Sequence, residues 1–317
     1  MSPREQVPYE LWLEIFRSLP PVALKHLSLT CTEFKAISRP HLFNEFYFRL
    51  YKSCGADGIL LLPTTTEVNR AMERLEFWCS DEIAPHVRSC VIAPWHKSGP
   101  VGPRWDFAAT STPYVLLVAF FERLGAFTGL QNFSATDIHF TQSGVASLCR
   151  APALASVRLE DCSIAPGEHI DISSRSLGVA RFFHHMRTGA TGNGDIWFSL
   201  LRPDSLQEVD LTLDLNPGLF GDNKAIPSFP NVHTFATTVK SPTIPYIISI
   251  LSKFSAVQNF SIICWGELRH VPDLRAEASS LLMVLRHYTG PSETIAFLLP
   301  GPISPTSPSR TAIPSTS

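Results

Sequence analysis

Hydrophobic positions along this chain follow two different spacings. Near the start, Leu11, Trp12, Ile15, Phe16 and Leu19 recur at intervals of three and four and paint one stripe of a helix. Pro8 stands where a first-turn proline is tolerated, because its missing N–H has no helical partner there. Pro20 and Pro21 end the helix, and Pro21 opens a second one carrying Val22, Leu24, Leu27 and Leu29 toward Cys31. A third short helix holds Phe34 and Ile37 and is expected to stop at Pro40. Three helices in about 35 residues bury little surface alone, so the unit needs a neighbour or a partner to cover its remaining apolar face.

Further along, short alternating segments recur instead. Residues 154–164 read L-x-x-V-x-L-x-x-C-x-I, and related starts occur at Leu130, Leu177, Leu206, Val232 and Val257. The opening positions are spaced by 24, 23, 29, 26 and 25 residues, within the leucine-rich-repeat range. Between them, 113–126, 142–150, 195–202, 244–254 and 276–288 show helix-like spacing or good helix formers, and Asp195 is the expected N-cap after a Gly-rich turn at 189–194. A strand cannot bury its apolar positions alone, but stacked units share a continuous core. Ahead of these units, the alternation of Phe46, Phe48 and Leu50 predicts a strand over 45–51, followed by a helix around 66–79 and a strand around 87–92. The Pro/Ser/Thr-rich stretch 300–317 is expected to be disordered. The chain therefore divides into a helical module (1–44), a connecting segment (45–111), a repeat region (112–299) and a tail.

Composition narrows the function class. Apolar residues make up 44% and charged residues 17% of the 317, as in folded proteins. A net charge of -2 gives no field favouring nucleic acid or a membrane surface. The longest apolar run, 113–121, is too short to cross a bilayer, and the first residues read as neither signal nor transit peptide. Seven scattered cysteines without a C-x-x-C pair argue against a disulfide framework or structural zinc. The expectation is a reduced protein of the cytoplasm or nucleus, without a cofactor. Gly189-x-x-Gly192-x-Gly194 has the wrong order for a dinucleotide fingerprint, His184-His185 lacks a third ligand, and G-x-S-x-G is absent. No catalytic residue stands out; binding is the expected activity.

The first module also carries a resemblance. Val7-Pro8-x-Glu10-Leu11-x-x-x-Ile15-Phe16-x-x-Leu19, then Leu24-x-x-Leu27-Ser28-Leu29-Thr30-Cys31-x-x-Phe34-x-x-Ile37, then Pro40-x-Leu42-Phe43, closely resembles the F-box motif. Ala23 stands where an acidic residue is usual, Thr32 where a basic one is, and Phe43 where tryptophan is common. With the helix and the "HVRSCVI" strand that follow, the layout resembles fungal F-box proteins with divergent leucine-rich repeats. The resemblance implies an α/β chain, a three-helix F-box followed by an irregular solenoid with a curved parallel sheet and helices or loops outside. It also implies contact with the SKP-type adaptor of the SKP–cullin–F-box ubiquitin ligases. That contact would use Val7, Pro8, Leu11, Ile15 and Phe16, with Leu24, Leu27 and Cys31 behind them. The repeats would then hold an unknown target protein. The alternative is an interaction scaffold acting outside any ligase.

In such repeats, the position between the last two apolar residues of a strand tends to face the concave surface. Arg158 and Arg181 are aligned there in consecutive units, where two guanidinium groups could grip one carboxylate or phosphate of a target. The competing reading makes them solvated arginines partnered by Glu160 and Asp161.

Overall fold

The computed structural model describes residues 7–50, 52–54, 59–61, 63–93, 112–165, 170–171, 176–186, 194–213, 227–240, 251–265 and 284–291. The tail at 300–317, nearly all of the Gly-rich turn, and most of the helices expected at 244–254 and 276–288 lie outside these residues.

The chain opens with α1 (Tyr9–Ser18), α2 (Pro21–Leu27) and α3 (Thr32–Leu42). Prolines set the early boundaries: Pro8 is the N-cap of α1, and Pro20 and Pro21 are the N-cap and first residue of α2. The Sγ of Cys31 caps α3, accepting the Phe34 backbone N–H at 3.4 Å. Phe16, Leu24 and Ile37 centre a small core of their own. The rings of Trp12, Phe16 and Phe34 close it, with centroids 4.9 to 6.4 Å apart. Contrary to expectation, Pro40 does not end α3 but lies inside its last turn. Packing overrides the lost backbone bond there, because Leu42 joins the small core while Phe43 lies against Phe77 and Trp78.

Next come β1 (Glu45–Arg49), a hairpin of β2 (Lys52–Cys54) and β3 (Ile59–Leu61), α4 (Thr65–Trp78) and β4 (Ser89–Ala93). A reciprocal capping box between Thr64 and Glu67 starts α4. The following elements are α5 (Thr112–Arg123), β5 (Asn132–Thr136), β6 (His139–Phe140), α6 (Gln142–Cys149), β7 (Ser156–Glu160) and β8 (Ser163–Ile164). The described chain ends with β9 (Arg181–His185), α7 (Gly194–Leu200), β10 (Glu208–Leu213), β11 (Thr234–Lys240), β12 (Asn259–Trp265) and β13 (His287–Thr289). Asp195 falls inside α7 rather than capping it.

Nine of these strands form one parallel sheet in the order β1-β4-β5-β7-β9-β10-β11-β12-β13. Each pass of the chain lays its strand beside the previous one, which is the topology of a solenoid. Two sequence expectations change. β1 and β4, read as a connecting segment, are the first two strands of this same sheet. The helix expected over 276–288 does not reach its end, because His287–Thr289 pairs with β12 and sets the Tyr288 ring against Phe260 at 5.8 Å.

The strands form because alternate residues have a core to enter. Phe46, Cys90, Phe133, Val157, Phe182, Val209, Phe235 and Phe260 occupy one register row, and all are buried. Helices cover that face with Phe120 and Phe121 of α5, Val145 and Leu148 of α6, and Trp197 and Phe198 of α7. Edge-to-face and stacked rings run through it, among them Phe140–Trp197 at 5.0 Å and Phe235–Phe254 at 4.8 Å. As expected, Val157, Leu159, Val209 and Leu211 point inward, Arg158 is exposed and Asp210 half-exposed.

One repeat start is displaced. Strands begin two residues after Leu130, Leu154, Leu206, Val232 and Val257, and the matching buried residue before β9 is Val179, not Leu177. Leu177 is drawn aside into a bridge with Leu201, its N–H donating to the Leu200 carbonyl. With Val179 in place, the intervals even out to between 24 and 27 residues. After β5 and β7 the chain turns the same corner twice. Asp137 and Asp161 take φ of 54° and 53°, and Ile138 and Cys162 are then buried.

Candidate functional site

The first surface is on the helical module. Leu11 and Ile15, four residues apart, share the outer side of α1 and are 53% and 42% exposed. Tyr9, Val22 and Leu29 are also exposed, at 59%, 68% and 79%. Half of the ten large apolar side chains exposed among the described residues therefore fall in 9–29. Scattered single exposures are ordinary; this concentration within some twenty residues makes the helical module the first candidate for a contact surface. Val7 is half-buried beside exposed Pro8, and Leu27 and Cys31 are half-buried behind them.

Phe16 sits differently from its sequence assignment as a contact residue. It is fully buried between the module's own helices, as Leu24 nearly is, so both support the outer residues from within. The apolar stripe of α1 is broad enough to have an inner half (Trp12, Phe16, Leu19) and an outer half (Leu11, Ile15), and periodicity alone does not divide them. Tyr9, Val22 and Leu29 were missed as exposed members for the same reason. Phe43 and Arg39 fasten this module to the solenoid: the Phe43 ring lies 5.4 Å from Trp78, and Arg39 pairs with Glu82 at 2.5 Å.

The second surface is the outward face of the sheet around β7, β9 and β10. The Arg158 guanidinium lies 4.8 Å over the Phe183 ring of the next strand, while its Nη1 donates to Glu160 Oε1 at 3.4 Å. Arg181 runs the other way. It crosses Ser156, which is buried, and its Nη2 donates to Asn132 Oδ1 on β5 at 3.4 Å. The two charged heads are thus about two strand spacings, roughly 10 Å, apart and do not converge on one anion. The displaced repeat start explains the difference, since it pairs Arg181 with Ser156 and leaves Phe183 opposite Arg158. Phe183 was missed because its partnership depends on that register. Beyond it lies Asp210, whose Oδ2 is 3.5 Å from His185 Nε2, and Glu208 stands opposite Arg181.

Burial shifts His184, Cys90 and Cys162 inside the solenoid toward their neutral forms. His184 occupies the inward row between Leu159 and Leu211, where burial, with a smaller push from His185, lowers its pKa to about 4. Its ring stacks on Phe182, and its Nε2 has no hydrogen-bond partner. Burial likewise raises the thiols of Cys90 and Cys162 far above their ordinary value. His139 and Ser163 hydrogen-bond at 2.6 Å, joining the short flanking strands β6 and β8. Among the described residues, no group of three or more His, Cys, Asp or Glu is arranged to hold a metal, and no helix is long and apolar enough to cross a membrane.

Comparison with known proteins bears on the first surface. Residues 5–49 match the family model described as F-box-like, a span that takes in α1, α2, α3 and β1. No curated protein matches the chain. The helical module with its exposed Leu11 and Ile15 is an F-box-like domain, carried ahead of a parallel-sheet solenoid.

Proposed function

We propose that this chain is a substrate receptor of an SKP–cullin–F-box type ubiquitin ligase, a binding subunit rather than an enzyme. F-box domains generally bind SKP-type adaptors, and the match over residues 5–49 supports that partner here. The observation that carries the reading is the exposed apolar side of α1, with Leu11 and Ile15 held outward by a filled core behind them. A few buried apolar anchors of this kind dominate the affinity of helix-face contacts. The solenoid, which we read as a divergent leucine-rich-repeat array from its strand spacing and its repeated Asp corners, would hold the target. The chemistry then belongs to other subunits, and this chain contributes proximity and orientation, in the cytoplasm or nucleus.

The test is reconstitution of the full chain with an SKP-type adaptor and its cullin. Co-elution of all three on size exclusion is expected. Adaptor binding without cullin recruitment would place the chain outside the ligase, as a scaffold; no adaptor binding would remove the proposal.

A further inference from the structure

On the outward face of the sheet, Arg158 and Phe183 share a register row that runs from the exposed Tyr47 to Thr289. Around this pair the row is low: Val91 and Ser134 lie on one side of Arg158, and Ala236 and Ser261 lie beyond Asp210 on the other. The guanidinium of Arg158, laid on Phe183, rises from this floor. An arginine stacked on an aromatic ring keeps its in-plane donors available, and the fork they form matches a carboxylate. Stacking also fixes the head before any ligand arrives, so little side-chain freedom remains to be lost on binding. Of the five donors, Nη1 makes only a long contact to Glu160.

We propose that the Arg158–Phe183 pair is the anchor that receives a carboxylate side chain of an acidic target segment lying on this face. The proposal rests on the reading of the solenoid as the target-binding part. Charge selects carboxylate over phosphate: Glu160 is beside the guanidinium and Asp210 is paired across from Phe183. Either anion displaces the long Glu160 contact and is repelled by the two carboxylates, but a monoanion meets that repulsion at half the strength a dianion does. Arg181, already reaching back to Asn132 on β5, lies too far away to share the same group and would at most meet a second acidic residue.

The experiment uses the full chain purified with its adaptor and a synthetic peptide library in which the same positions carry Glu, Gln, Lys or phosphoserine. Glu peptides are expected to bind best, and the best of them to weaken about tenfold or more with Arg158→Gln. Phe183→Leu should weaken the same peptide several-fold although the charge remains, an effect that a freely solvated arginine would not show. Arg181→Gln should matter less than Arg158→Gln. Preference for phosphoserine or Lys, no peptide binding, or equal affinity for wild type and Arg158→Gln would overturn the anchor. Adaptor co-purification is read separately. If it persists while the peptide result fails, only the anchor is lost; if wild type never holds the adaptor, the receptor reading fails instead.

Discussion

His184 offers a quantitative check on the packing of the solenoid. It fills an inward position that its neighbours on both strands give to Leu159 and Leu211, and its pKa falls to about 4 from an ordinary 6.5. The folded chain therefore binds fewer protons at this site than the unfolded chain. The neutral ring contributes its full stability above pH 6.5, and that contribution is lost as pH falls through the window from 6.5 to 4. Linkage between those two values gives a loss of about 2 kcal/mol by pH 5 and about 3 kcal/mol in full. His184→Leu removes this proton and the unpartnered Nε2 while keeping an apolar side chain in the row. Urea unfolding of both proteins from pH 7.5 to 4.5 should show wild type losing stability more steeply, with the gap widening by about 2 kcal/mol at pH 5. Other titrating groups largely cancel in the comparison. Parallel pH profiles for the two proteins would refute the buried neutral imidazole.

Three other outcomes are expected. Phe16→Ala should cost about 3–5 kcal/mol within a core centred on only three buried apolar side chains, melting the F-box-like domain while leaving the sheet folded; hydrogen exchange should lose protection at 9–42 and keep it in β5 to β12. Asp161→Val should destabilise the chain by about 1–2 kcal/mol more than Asp161→Asn, because φ of 53° suits asparagine and not a branched side chain, as thermal melts would show. Cys90 and Cys162 should stay unlabelled by iodoacetamide at neutral pH until the chain unfolds, by peptide mapping, since burial keeps both thiols protonated.

Much of this architecture was legible in residue spacing. Pro8, Pro20 and Pro21 marked helix boundaries because a missing N–H and a fixed φ act locally. Alternation around Val157, Leu159, Val209 and Leu211 gave the inward face because a strand's period is two. Errors arose where a distant contact decided the outcome. Pro40 stayed helical because Leu42 and Phe43 had cores on either side to join. Leu177 looked like a repeat start until its bridge to Leu201 moved that role to Val179. The same two-residue shift took Arg181 away from Arg158 and brought Phe183 to it, so the composition of the sheet surface was readable but its pairing was not. On α1, the stripe was visible and its division into inner Phe16 and outer Leu11 and Ile15 was not.

That division makes the central claim open to a clean measurement. Leu11 and Ile15 are exposed, so Leu11→Asp with Ile15→Asp leaves the module's own core of Phe16, Leu24 and Ile37 in place. In a complex, both carboxylates would be buried against an apolar partner without compensation. Each anchor lost costs on the order of 2 kcal/mol, so the Kd for a purified SKP-type adaptor should rise at least about a hundredfold by calorimetry. The folded fraction of the double variant, followed by circular dichroism, should match wild type. Tight adaptor binding by wild type, lost in the double variant, is the expected result. An unchanged Kd in the double variant, or no binding by wild type, would contradict the assignment of this face to the adaptor.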